Sequence, residues 1–135
     1  MWCVENTSFS IPVDEAQPSQ LYLDAAKLQR AIEWFDFDDP TYEPIPVLTL
    51  DNELVLSDGH TRAFLAYLSG ETALDVVPEP DREELSTDLY RECVNWCYEE
   101  DVTAIADFAG RVLNHDTFLD EWVSRCRESP LYEED

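Results

Sequence analysis

VLSDGHTRAFLAYLSG, residues 55–70, opens as the end of a buried strand and closes as a helix, with Asp58, Gly59, His60, Thr61 and Arg62 crowded into the joint. Reading that joint as a strand-to-helix turn decides the fold, because a helix fed by a strand and followed by another strand has to pack on a sheet. Ala63 and Ala66 are small enough for close approach to that sheet. Gly70 stands where a helix closes on a left-handed residue. A packed core needs none of the five turn residues, so they either cap the helix or hold a ligand.

Working outward, IPVLTL (45–50) and ELVLS (53–57) read as two strands around Asp51-Asn52, a two-residue hairpin turn. Apolar residues on both faces make this hairpin central. FSIPV (9–13) is a first strand, placed at an edge by Pro12. Asp24 is an N-cap for a helix over 25–35, with Ala25, Leu28, Ile32 and Phe35 as its apolar stripe. DFDDPTYEP (36–44) is a loop, and ALDVV (73–77) a further strand before the loop VPEPDREE. Beyond it the chain reads as helical. Leu85, Leu89, Cys93, Trp96 and Cys97 form a core stripe beside Tyr90, Val94 and Tyr98, and Thr103 caps a short helix ending at Phe108. Phe118, Leu119, Trp122, Val123 and Cys126 stripe a last helix before the acidic LYEED. The expected architecture is α/β of the α+β kind: a small mixed sheet with packed helices over 1–80, and a helical extension over 81–135 packed on it as one compact domain.

Charge narrows the function. Against 31 Asp and Glu stand 8 Lys and Arg, for a formal net charge of -23. Nucleic-acid affinity comes largely from cations that displace condensed counterions, so direct DNA binding is disfavoured, as is attraction to anionic lipid. The first residues lack the basic start and apolar run of a signal peptide, and no stretch nears the roughly 18 apolar residues that span a bilayer. The expectation is a cytoplasmic protein with neither nucleic acid nor membrane as partner. Cys3, Cys93, Cys97 and Cys126 then read as reduced thiols. Cys93 and Cys97 sit four apart on a helix, whereas zinc sites favour tighter pairs on turns, so they read as core rather than as ligands.

The joint itself carries chemistry. A helix start leaves backbone N–H groups without partners and adds partial positive charge, which favours anions. Gly59 removes the side chain that would keep an anion off the backbone, Thr61 adds a hydroxyl, and Arg62 adds a fork that matches phosphate oxygens. Asp58 can cap the helix or bind magnesium carried in by a nucleotide. His60 can donate to a phosphate or shuttle a proton. In a chain with eight cations and two histidines, one of each falls in this single turn. Asp58 to Arg62 are therefore the candidate binding residues.

Ile11-Pro12-Val13, then Pro18-Ser19-Gln20-Leu21-Tyr22, the Pro46–Leu56 hairpin and Asp58-Gly59-His60-Thr61-Arg62-Ala63, in that order, resemble the N-terminal domain of ParB proteins in the ParB and sulfiredoxin superfamily. The resemblance covers residues 9–78. It implies a turn that meets nucleotide phosphates, as in the superfamily's partition clamp, its peroxiredoxin-repair enzyme and its free-serine kinase, with a nucleoside tri- or diphosphate and magnesium as cofactors. Gly59 and Arg62 match the family's glycine and arginine. His60 stands where the repair enzyme needs its cysteine, so that nucleophile is missing. Thr61 replaces the partition clamp's second arginine, and the following helices are acidic. Three readings are left: a non-catalytic nucleotide or phosphate sensor acting through a protein partner, a phosphotransferase resembling the free-serine kinase, and, least favoured, a DNA-associated partition protein. For the second, Glu15 or Asp14 would orient the acceptor hydroxyl and His60 would assist.

Overall fold

The computed structural model describes residues 8–79 and 87–129. Strand β1 (Phe9–Pro12) runs into a 3-10 turn at Val13–Glu15, then β2 (Leu23–Asp24) and α1 (Ala25–Trp34). The hairpin β3 (Ile45–Leu50) and β4 (Glu53–Leu56) is followed by α2 (His60–Leu68), β5 (Ala73–Pro78) and α3 (Thr87–Glu99). A second 3-10 turn at Ile105–Phe108 leads to β6 (Val112–Leu113) and α4 (His115–Phe118), which widens into a π turn at Leu119–Val123 and ends as α5 (Ser124–Glu128). The fold is α+β. Its four-stranded sheet has the order β1-β5-β3-β4.

The sheet is mixed, as expected. β1 pairs antiparallel with β5, with Ile11 opposite Leu74; β5 runs parallel to β3, and β3 antiparallel to β4. Asp51 and Asn52 turn the hairpin with φ of 51° and 68°, the left-handed pair that a tight hairpin requires and that Asn and Asp tolerate. The hairpin is central only through β3, because β4 forms the other edge of the sheet. Gln17 closes that edge: its N–H donates to the Leu54 carbonyl at 3.2 Å and its carbonyl accepts from Leu56 at 2.9 Å. An edge covered in this way offers no free ladder to another chain.

Three elements depart from the sequence pattern. Asp24 caps α1 as expected, accepting from the Ala26 N–H at 2.9 Å, yet Ile32 is 47% exposed while Ala31 and Phe35 are buried. The buried row is therefore Leu28, Ala31 and Phe35, one position away from Ile32 on the helix face. Thr103 caps nothing: the Asp107 carboxylate reaches back to the N–H groups of Thr103 and Ala104, both at 3.0 Å. On the last helical run Trp122 is buried but Leu119 is exposed. Leu85, the loop residues from Pro80 and the LYEED end lie outside the described residues.

The helical part shares its core with the sheet. Leu21, Leu23, Ile45 and Leu74 pack in one cluster with Ile105 and Phe108. Burying each such side chain contributes roughly 1.5–3 kcal/mol, so the joint core binds the two parts strongly. Two short ties reinforce it. β2 and β6 pair in parallel, with Leu23 opposite Val112, and the buried Gln17 side chain donates to the Val102 carbonyl at 3.0 Å.

Candidate functional site

Gly59, not Ser57 or Asp58, is the N-cap of α2, and no side chain caps this helix. Its first bond runs from the Ala63 N–H to the Gly59 carbonyl at 3.0 Å. Asp58 turns its carboxylate onto the Gly59 N–H at 2.8 Å, outside the helix. The φ of Gly59 is +73°, a backbone state that costs any other L residue energy. A Cβ here would also stand 2.9 Å from Arg62 Nη2 and 3.1 Å from Ile45 Cγ2. The bare glycine thus makes room for the guanidinium, which folds back over the turn. Arg62 is held there by Nη1 donating to the Glu43 carbonyl at 2.9 Å.

Beside this turn lies a cleft of about 290 Å³, lined by Asp58, Gly59, Thr61 and Arg62 from the turn and by Lys27, Arg30, Ala31 and Trp34 from α1. Spacings of three, four and seven residues put the α1 contribution on one helix face. Among the described residues Arg91, Arg111 and Arg125 each pair with a carboxylate, while Lys27, Arg30, Arg62 and Arg127 pair with none, and of these four all but Arg127 line the cleft. In a chain with 31 acids, three cations around one cleft have no carboxylate partner among the described residues. Concave walls of low dielectric focus such a field and draw anions. Thr61 adds a donor. It is only 6% exposed yet lines the cleft, and its hydroxyl has no hydrogen-bond partner among the described residues.

The other candidate residues lie elsewhere. His60 is 4% exposed and absent from the cleft lining, and its Nε2 accepts the Ser19 N–H at 3.0 Å. Because a backbone N–H can only donate, Nε2 carries no proton. Burial pushes the imidazole down to about 4, with Asp58 raising it and Lys27 lowering it to a smaller extent. The ring packs edge-on against Phe108 with centroids 5.9 Å apart. His60 is thus a fastener between α2 and the Gln17–Gln20 segment, which Ser19 Oγ also secures by donating to the Leu56 carbonyl at 2.6 Å. Asp14 and Glu15 are exposed on the 3-10 turn after β1, and neither lines the cleft.

Other cavities lack this character. One of about 190 Å³ beside α3 and β4 has its polar groups engaged, Arg91 with Asp51 at 3.4 Å and Tyr98 with Glu53. Among the described residues no group of three or more His, Cys, Asp or Glu is placed to hold a metal ion. Cys93 and Cys126 are instead free thiols that hydrogen-bond to one another, and Cys97 Sγ donates to the Gln20 carbonyl at 3.6 Å. Magnesium brought in by phosphates needs one or two carboxylates from the protein, and Asp58 is the carboxylate on this cleft. No described helix is long and apolar enough to cross a membrane.

Lys27, Arg30 and Trp34 are not among the candidates the sequence offers, because the apolar stripe of α1 signals packing and not the face beside it that lines the cleft. The signal was there: two cations and an aromatic at helical spacing, in a chain with few cations.

Fold and cleft together define an α+β protein with a mixed four-stranded sheet and a cation-lined cleft at the start of α2. No family model matches the chain, and no curated protein matches it. Among solved structures it is similar to protein Atu1540 from Agrobacterium tumefaciens, at 15% identity and a TM-score of 0.45 over 72% of this chain and 49% of that one. The chain thus spans about half the length of that protein.

Proposed function

We propose that the cleft between α1 and the start of α2 binds the phosphate groups of a nucleotide or another phosphorylated small molecule, and that the protein is a ParB-like ligand-binding protein acting through a protein partner. The observation that carries this reading is the convergence of Lys27, Arg30 and Arg62, none paired with a carboxylate among the described residues, on one cleft of a strongly acidic chain. Lys27 and Arg30 would hold the outer oxygens, and Arg62 the phosphate nearest Gly59. Thr61 would donate its hydroxyl, and Asp58 would hold the magnesium ion that accompanies the phosphates.

Binding is better supported than phosphoryl transfer. Transfer to a small hydroxyl needs a carboxylate on the acceptor besides the one that holds magnesium. Asp58 is the only acid lining the cleft among the described residues, Asp14 and Glu15 lie off it, and His60 has Nε2 engaged.

Calorimetric titration with magnesium ATP, ADP, CTP and GTP and with magnesium tripolyphosphate tests the reading. Arg62→Ala removes a charge-assisted fork worth roughly 1.5–3 kcal/mol, so affinity should fall by about tenfold to more than a hundredfold. The same variant should lose only about 0.5–1.5 kcal/mol of stability, for the bond to Glu43. Absence of binding to all five ligands would overturn the reading. Sustained formation of phosphoserine from serine, matched by loss of one phosphate from the nucleotide, would favour the kinase instead.

A further inference from the structure

Trp34 ends α1 at the rim of the cleft and is 54% exposed, a large apolar ring left in water beside Lys27 and Arg30. Its position is fixed from one side. It packs at 53° against Phe35, with centroids 5.9 Å apart, and Phe35 is itself buried and stacked on Tyr42. Two other rings carry a cation, Tyr22 with Arg111 at 5.1 Å and Trp96 with Arg125 at 4.3 Å, and Trp34 is the most exposed of the large apolar side chains among the described residues. Among the described residues no guanidinium or ammonium covers Trp34, although three cations share its cleft.

The size of the cleft bears on what it takes. About 290 Å³ lies at the low end of ligand cavities, which run from roughly 300 to 1,000 Å³. That volume accommodates phosphate groups and leaves a flat ring to rest on the rim. Trp34 is where such a ring would rest.

We propose that the ligand is a nucleoside phosphate whose base stacks on Trp34 while its phosphates meet Lys27, Arg30, Arg62 and the free Thr61 hydroxyl. This rests on the anion reading of the cleft and adds to it the residue that separates a nucleotide from a bare polyphosphate. Stacking is tolerant of base identity because every base has a π face, so Trp34 selects for the presence of a base more than for its kind.

The test compares magnesium ATP, GTP, CTP and UTP with magnesium tripolyphosphate by calorimetry, on the wild type, Trp34→Leu and Trp34→Phe. Truncating an aromatic that stacks on a base weakens binding by roughly five- to 150-fold. Nucleotides should bind the wild type tighter than tripolyphosphate by a factor in that range. Trp34→Leu should erase the difference without changing tripolyphosphate affinity, and Trp34→Phe should restore most of it. Quenching of indole fluorescence by ATP should vanish in both variants if the stacked ring is Trp34. Half-exposure of the side chain means that neither substitution empties the core, and circular dichroism checks this. Equal binding of tripolyphosphate and nucleotides by the wild type, or an undiminished nucleotide preference in Trp34→Leu, overturns the base platform while the anion site stands. Failure of every polyphosphate to bind overturns both.

Discussion

His60 shows how a residue with catalytic credentials can be bound into a fold. Its Nε2 is taken by Ser19, 41 positions earlier in the chain, and its ring is sealed against Phe108. The charged form cannot accept that N–H and has no water, so the folded state holds the imidazole at about 4 against an ordinary 6.5. The sign follows from proton counting. Between about 6.5 and 4 the unfolded chain binds a proton at this site and the folded chain does not. Stability from His60 is therefore complete above about 6.5 and is lost as pH falls through that window, by up to about 1.4 kcal/mol per pH unit. Urea denaturation at pH 7, 6, 5 and 4.5 should show this slope. In His60→Gln, whose amide oxygen still accepts the Ser19 N–H but does not titrate, the slope should be shallower by that amount. Carboxylates titrating at the acid end affect both proteins alike, so the difference isolates His60. Parallel slopes would mean that the ring is solvated in the native state.

Elements obeyed their local signals where the signal was complete within a few residues. Asp51-Asn52 turned the hairpin, Asp24 capped α1, and Gly70, at φ +98°, closed α2. What escaped depended on partners far along the chain. β2 and β6 are two residues each and join Leu23 to Val112, a pairing that no periodicity announces. The cleft was half legible: the DGHTR turn supplied Gly59, Thr61 and Arg62, but Lys27 and Arg30 arrive from a neighbouring helix whose packing angle the sequence does not encode locally. The contact of α3 with α5 is of the same kind, and it makes a prediction. The Cys93 thiol on α3 donates to Cys126 on α5, which holds Cys93 up and brings Cys126 below its ordinary value. Burial pushes Cys97 up to about 12. The thiolate is the reactive form, and of these three thiols Cys126 is partly exposed. Iodoacetamide added to the native protein should therefore label Cys126 well before Cys93 or Cys97, as read by peptide mass. Cys93→Ala should slow Cys126 labelling by removing its donor. Earlier modification of Cys97 would contradict the packing of α3 on the Gln17–Gln20 segment.

At the scale of the whole molecule, two facts about charge pull against each other: a net charge of -23 and a local concentration of cations at one cleft. A small anion feels the cleft at contact, where Lys27, Arg30 and Arg62 are within reach. A polyanion long enough to pass over the rest of the surface also meets the acids that outnumber the cations. Duplex DNA carries a charge every ~1.7 Å along its axis, so a segment laid on the cleft extends over acidic surface within a few base pairs. Three cations at most would release counterions there, and the exposed acids would repel the remainder. Binding of duplex DNA at micromolar protein should thus be undetectable at about 0.15 M salt by fluorescence anisotropy with a labelled 20-base-pair duplex. Lowering the salt should not rescue it. The screening length grows from about 8 Å at 0.15 M to about 30 Å at 0.01 M, which extends the repulsion further than it extends the attraction of one small cleft. An ordinary DNA-binding protein does the opposite, gaining affinity steeply as salt falls. A complex that strengthens at low salt, and weakens again in a Lys27→Ala, Arg30→Ala double variant, would show that the cleft receives a nucleic-acid backbone and would restore the partition-clamp reading.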